Sequence, residues 1–300
     1  MSTATERLAA DADGTRSGFD IHLLPHSEHE GNLRTENYPA GQLQREDIVR
    51  RQGLMNVSCI LEDVAHGYYS DTNDDKLATV IILSSRFESL HNRHRIKRVE
   101  MSLTFSAKES GGSDPVVLAI APDGFFSVQP TSQPETLNTT VGGTAGAGAF
   151  GVEVSANLQQ ERTVQREIID MTKVQGIIHT AGRNHGRPNT AQWILRENGT
   201  AETGVPTSMQ AAILLERSDM LEFQAHCAMT VTTDWLASAF SAFKSDPKDD
   251  PVFFHPDCKA TSKLKIYNTD NLGGENLAAL SRVTVTTVLN DTNRVENQQY

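Results

Sequence analysis

A chain of 300 residues with 38 Asp and Glu against 27 Lys and Arg carries a formal charge of −11 at pH 7, and 38% of its residues are apolar. That balance excludes the broad basic surface that nucleic acid or an anionic membrane requires, and no apolar run reaches the roughly 18 residues of a spanning helix. The three cysteines, Cys59, Cys227 and Cys258, lack a framework spacing. The opening MSTATERLAADADG has neither a basic n-region nor an apolar segment, so it does not read as a secretory signal and a cytoplasmic location is expected.

Residues 1–50 are polar and rich in Ser, Thr, Asp, Glu and Gly. Such a composition cannot offset an ordering entropy of about 1–2 kcal/mol per residue. A disordered tail is expected there, with a short helix near 43–51. A single β-rich domain is expected over 51–290, then a second disordered tail at 291–300. Inside the domain the apolar residues keep mostly to period two. Strands are expected at 57–64, 77–84, 96–105, 115–121, 150–158, 163–179, 191–196, 209–215, 221–231, 252–254 and 283–289. The clearest is 96–105, where Val99, Met101, Leu103 and Phe105 alternate with Arg98, Glu100, Ser102 and Thr104, one face apolar and the other wet.

Ala121-Pro122-Asp123-Gly124 reads as a turn after a strand, and Asn198-Gly199 opens a loop that closes at Gly204-Val205-Pro206. The stretch 139–151 is a low-complexity run of Gly, Ala and Thr. A helix is expected from Thr232 or Thr233, with Trp235, Leu236, Ala239, Phe240 and Phe243 on one face. A second, short helix is expected over 275–280. Many short strands with turn-like joins define a mostly β chain: an antiparallel β-sandwich or distorted barrel with one or two short helices.

Gly146, Gly148 and Gly151 fit G-x-G-x-x-G, but strand-like alternation follows them where a dinucleotide site needs a helix. The stretch reads as a Gly/Ala-rich flexible loop or bulged strand; small residues alternating with Val over 141–158 could also form a hairpin that a pore-former inserts, although Ala, Gly and Thr supply little of the apolar face it needs. His22, His26 and His29 are spaced like ligands around the helix-breaking Pro25, and His255 stands three residues before Cys258. No segment supplies the three or four convergent ligands of a zinc site, so no metal and no cofactor is expected. His91–Arg98 is the one strongly basic run; it reads as a solvated loop, and no nucleic-acid partner is expected. Asp74-Asp75 and Asp249-Asp250 read as solvated turns. The segment 181–198, AGRNHGRPNTAQWILREN, is the candidate binding loop. Arg183, His185 and Arg187 could hold an anionic group through planar donor forks, with Trp193 on the strand that follows.

Gly182-Arg183-Asn184, Pro188-Asn189-Thr190-Ala191, Trp193, Gly204-Val205-Pro206, Leu214-Leu215-Glu216-Arg217, Asp250-Pro251-Val252-Phe253-Phe254 and Asn271-Leu272-Gly273 are carried over roughly 115–289. In these motifs the chain resembles a family of filamentous-fungal proteins of unknown activity. The resemblance implies a fungal, intracellular β protein and brings no catalytic residue with it. The Leu-Glu-Arg segment reads physically as a strand end turning to solvent. Three functions are compatible with this sequence. The one the sequence favours is a non-enzymatic β-sandwich that binds a protein or a small apolar or anionic ligand, and the other two are alternatives to it. Another is a cyclase- or isomerase-like enzyme with an apolar pocket. The last is a membrane-active pore-former, which the acidic charge disfavours.

Overall fold

The computed structural model describes residues 34–51, 55–89, 95–145, 156–233, 249–288 and 295–299, with side chains throughout except at 73–75, 128–145, 156–169, 286–288 and 295–299. The expected helix after Thr233, the 146–151 glycine motif, the 22–29 histidines and most of the His91–Arg98 run lie outside the described residues.

Two antiparallel sheets pack face to face. One holds β1 (Asp47–Arg51), β2 (Met55–Ser70), β3 (Asn73–Ser89), β9 (Ser208–Arg217), β12 (Arg282–Val288) and β13 (Val295–Gln299) in that order, with β5 (Val116–Ala121) alongside β9. The other runs β11 (Val252–Phe254), β10 (Phe223–Thr233), β4 (Ile96–Ala107), β8 (Thr190–Arg196), β7 (Ala156–His179) and β6 (Gly124–Ala145). The architecture is a sandwich, not a closed barrel.

Alternation builds the core. Val99, Met101, Leu103 and Phe105 of β4 are all at most 1% exposed, and they meet Met55, Val57, Cys59 and Leu61 of β2 and Met209, Ala211, Ile213 and Leu215 of β9 in one cluster. Burying each large side chain contributes about 1.5–3 kcal/mol. The pattern fails at Thr79–Leu83 in β3 and Ala211–Leu215 in β9, which are buried at every position. The reason is a third layer. The segment 256–281 crosses the outer face of the first sheet and packs Tyr267, Leu272, Leu277 and Leu280 onto Val80, Ile82, Ala212 and Leu214. Asp63, itself fully buried, fixes this layer by accepting from the backbone N–H groups of Lys263 (2.8 Å) and Leu264 (3.0 Å) and from the Tyr267 hydroxyl (2.8 Å). The helix expected at 275–280 is a run of i→i+3 turns, preceded by a 3-10 turn at Leu272–Gly274. Asn276 caps that run, its side chain accepting from the Ala279 N–H at 3.1 Å.

Several expectations are corrected. Residues 34–51, expected in a tail with a short helix, are anchored: a turn near Pro39–Gln42 leads into strand β1 at Asp47–Arg51. Ile48 and Val49 enter the core, Arg45 donates to the Asp47 and Asp250 carbonyls, and Arg51 pairs with Asp249 at 2.8 Å. Asp249-Asp250 is therefore no solvated turn; Asp249 and Arg51 are 8% and 5% exposed at their side chains, and Asp250 accepts from the Asn37 N–H at 3.0 Å. Composition averaged over fifty residues hides a segment of this kind, whose cations find carboxylates far along the chain. Asp74 and Asp75 belong to β3, and Val295–Gln299, expected in the C-terminal tail, pairs with β12. The strands expected at 150–158 and 163–179 correspond to β7 from Ala156 onward, and its partner β6 was not expected as a strand before 141, where only the hairpin considered over 141–158 touched it.

Candidate functional site

The loop before β8 brings Arg183 and Arg187 together but spends them on the protein itself. Arg183 donates to Asp114 at 2.9 Å and to the Arg187 carbonyl at 2.7 Å. Arg187 forks onto both oxygens of Glu216, whose carboxyl is held below its ordinary range by that hydrogen bond. Asn189 closes the loop from beneath, accepting from the Ala181 N–H at 2.9 Å and donating to the Phe105 and Ala181 carbonyls. His185 is exposed. Trp193 is not at the loop surface. It is fully buried, its indole N–H donating to the Pro122 carbonyl at 3.0 Å, where Gly176 lets the 122–123 backbone approach; a Cβ at Gly176 would stand 2.1 Å from that same oxygen.

A second arginine is better placed for an anion. Arg217 ends β9 and is 4% exposed, not turned to solvent. It continues the inward series Met209, Ala211, Ile213, Leu215, so strand parity was the signal that marked it. It donates to the Ala78 and Asp219 carbonyls at 3.2 Å each, makes no ion pair among the described residues, and leaves its Nε–H unpartnered. Burial lowers its pKa to about 10, against the pull of Asp219 and Asp257, so the cation persists at neutral pH. Arg217 lines a cavity of about 300 Å³ with His66, Tyr68, Met220, Cys258 and Lys259. A desolvated guanidinium with a spare donor, facing a cavity, is suited to a carboxylate or phosphate. His66 beside it is held neutral. Its pKa is lowered to about 3, first by burial and then by Arg217 and His255, and its ring nitrogens meet Gln44 and Thr79 at 2.9 Å. His255 and Cys258 join no group of three or more metal-ligating side chains among the described residues.

The feature that sequence reading placed least well is the β6–β7 hairpin. β8 pairs with β7 only from Lys173 to His179, while β6 and β7 stay paired out to Ala145↔Ala156. Beyond an irregularity between Val128 and Thr131, fifteen pairs from Thr131↔Asp170 outward form a two-stranded ribbon with no third strand on either edge among the described residues. At roughly 3.3 Å per residue the ribbon is about 50 Å long. Its register sorts the sequence. Leu137↔Val164, Val141↔Gln160, Gly143↔Leu158 and Ala145↔Ala156 fall at alternate positions, interrupted by Thr139↔Arg162. The intervening pairs, Asn138↔Thr163, Thr140↔Glu161, Gly142↔Gln159 and Thr144↔Asn157, are polar or glycine throughout. Alternate pairs lie on opposite faces of a ribbon. From Thr136↔Gln165 outward one set of alternate positions is thus mixed, with Arg162 among its apolar residues, and the other is polar or glycine throughout.

The root of the ribbon is fastened by Asp170. Its Oδ1 accepts from the Met171 N–H at 2.8 Å and its Oδ2 from the Thr200 N–H at 3.1 Å. The buried Asn198 donates to the Asp170 carbonyl at 3.3 Å. Those backbone donors hold the Asp170 carboxyl below its ordinary range. Beside the root an apolar groove of about 530 Å³ runs between Ile120, Pro122 and Phe126 and the Leu277–Val283 wall, and Phe125 next to it is 78% exposed.

A cavity of about 590 Å³ opens between Val49, Arg51 and Val57 of the first sheet and 226–231 of the second. Trp193 is not in its wall.

No family model and no curated protein matches the chain. Among solved structures, the Clostridium perfringens NetB toxin in the membrane inserted form aligns with 85% of this chain and 98% of that chain, at 7% identity and a TM-score of 0.23. At that score the likeness carries no argument.

Proposed function

We propose that this chain is a membrane-active β protein that inserts the β6–β7 ribbon into a bilayer, where ribbons of several copies join edge to edge as a transmembrane barrel. The ribbon carries the reading. A lone two-stranded hairpin is marginal in water, and in lipid every backbone donor and acceptor needs a partner, so strands cross only as closed barrels. β6 and β7 each present a bare edge, and edge-to-edge pairing of successive copies closes a ring. The prolines, Pro130 and Pro134, stay near the root. The eleven pairs from Glu135↔Arg166 outward to Ala145↔Ala156 contain none, and a barrel strand needs about 9–11 residues. The alternation of mixed-apolar and hydrophilic pairs is what a lipid face and a water-filled lumen ask of such a strand. The Arg217 cavity supplies the sandwich with a seat for a headgroup phosphate. The charge of −11 then favours zwitterionic over anionic lipid.

The test is release of a trapped dye from phosphatidylcholine vesicles. The full chain is expected to release it, and a variant with 131–170 replaced by Asn-Gly is expected to lose at least tenfold in rate while staying folded. No release by the full chain, or equal release by both, would overturn the reading.

The groove beside Phe125 and Phe126 favours a second reading, a non-enzymatic sandwich that binds a protein partner through an apolar patch. That reading predicts no release, with binding lost on Phe125→Asp.

A further inference from the structure

We infer that the apolar groove beside the ribbon root seats one zwitterionic single-chain lipid, its tail between the walls, its anion on Arg282 and its cation on Asp123. The site goes beyond ribbon insertion and does not depend on it. Its two walls come from different parts of the chain. One is the end of β5, the Pro122–Asp123 turn and Phe126 of β6; the other is Leu277, Ala278 and the start of β12 at Arg282. Each wall is held from behind. Trp193 donates to the Pro122 carbonyl at 3.0 Å, and Gly176 of β7 lets that turn lie close. Gln210 of β9 donates to the Leu280 carbonyl at 2.8 Å. The turn before β12 is closed by the Leu280 N–H on the Leu277 carbonyl at 3.1 Å and the Ser281 hydroxyl on the Ala278 carbonyl at 3.0 Å. Walls fixed independently keep the groove open, and a preformed pocket binds without first ordering its sides.

The groove's volume of about 530 Å³ lies within the roughly 300–1,000 Å³ of small-molecule sites. Ile120, Ala121, Leu277 and Val283 supply its apolar surface. Its charges are two and opposite, one on each wall. Asp123 and Arg282 are both exposed, and among the described residues neither makes a side-chain hydrogen bond or ion pair. Arg183, Arg187 and Lys265 differ, because the protein itself supplies their carboxylates. A fatty carboxylate would be repelled by Asp123, and an alkylammonium by Arg282. An amphiphile that carries both charges meets a partner on each side. The guanidinium presents a planar fork of donors that suits a phosphate. The half-exposed Phe126 ring, in the same wall as Asp123, adds attraction for a quaternary ammonium.

The experiment uses the full chain and a dodecylphosphocholine analogue with a diazirine at the end of its tail, kept below the concentration at which it forms micelles. After irradiation the labelled peptides are mapped by mass, and the label is expected on 119–127 and 277–283. Unlabelled dodecylphosphocholine is expected to compete. Tail-less phosphocholine, dodecanoate and dodecyltrimethylammonium are each expected to compete at least tenfold less well. Each methylene removed from the competitor's tail is expected to weaken it about fourfold, the scale of one buried methylene. Asp123→Asn and Arg282→Gln are each expected to lower labelling at least tenfold. Ala278→Trp, which fills the groove from an exposed position, is expected to abolish it at an unchanged melting temperature. The inference is overturned if the label falls on 256–260 in the Arg217 cavity, if singly charged amphiphiles compete as well as the zwitterion, or if Ala278→Trp is labelled like the wild type. Absence of labelling also overturns it and leaves the groove to a protein partner. No bilayer is present, so labelling without dye release sinks the pore reading alone, and dye release without labelling sinks this inference alone.

Discussion

The sandwich and the ribbon are made of the same antiparallel pairing, yet they are stabilised differently. β4 has β10 on one edge, β8 on the other and β2 and β9 across the core, so Val99 to Phe105 have partners in three directions. Beyond Thr131↔Asp170, among the described residues β6 has only β7 and β7 has only β6. The sandwich gains its stability from apolar burial, whereas the ribbon holds only its own ladder and displays two unpaired edges. Edges of that length are aggregation hazards that proteins blunt with prolines and charges. Here the prolines, Pro130 and Pro134, stand near the root with the Glu135↔Arg166 pair, and the outer part carries Arg162 and Glu161 among Thr, Asn, Gln, Gly and a few apolar residues.

The sharpest way to break this contrast is at its strong side. Phe105→Asp is expected to unfold the protein, since it puts a charge at a position with no exposed surface. Thr104→Asp, one residue away on the opposite face, is expected to leave it folded. Similar damage from both, measured by urea denaturation, would void the register on which the core rests.

Acid probes the sandwich next. His66 has an ordinary pKa of 6.5 that falls to about 3 in the folded protein. Between those values the unfolded chain binds the extra proton. The stability tied to His66 is therefore complete above pH 6.5 and lost as pH falls toward 3, at no more than about 1.4 kcal/mol per pH unit. The paired carboxylates Asp170, Asp250 and Glu216 add their own loss from about pH 5 downward. Urea unfolding between pH 6.5 and 4.5 is expected to show the slope, and His66→Gln is expected to flatten it.

Arg217→Met separates the cavity from the fold. It exchanges a desolvated cation for an apolar chain of similar length, so the change in stability is expected to stay within about 1.5 kcal/mol. Binding to phosphatidylcholine vesicles, measured by flotation, is expected to fall about tenfold, the scale of one charge-assisted hydrogen bond. Unchanged flotation would leave the guanidinium with a purely structural role. At the weak end, Val141→Ala in the ribbon is expected to change the unfolding free energy in water by under about 0.5 kcal/mol, the range of substitutions away from packed sites. A cost near the roughly 3–5 kcal/mol of a Phe→Ala core truncation would mean that the ribbon packs like the sandwich.

How much of this was legible depended on whether a residue's partners were local. Val99, Met101, Leu103 and Phe105 announce a half-buried strand because the pleat alone sorts them. β11, read as 252–254, was found at its true ends. β6 was not, since Thr, Gly and Asn alternate only weakly with Leu137 and Val141, and the strand becomes evident once each position is set against its β7 partner. Arg34, Arg45 and Arg51 are similar, because their carboxylates at 249–250 and carbonyls lie some two hundred residues away. At the candidate loop the donor forks of Arg183 and Arg187 were legible, while Asp114 and Glu216 as their partners were not. Arg217 was legible by parity, but its charge argued for the surface.

The most direct measurement of the central claim follows single cysteines placed at 140–145 on a background with Cys59, Cys227 and Cys258 replaced by Ser, each carrying an environment-sensitive fluorophore. With phosphatidylcholine vesicles present, the label is expected to shift to the blue at 141, 143 and 145 and to keep its aqueous emission at 140, 142 and 144. Emission that ignores this period of two, or that is the same with and without vesicles, would contradict insertion of the ribbon.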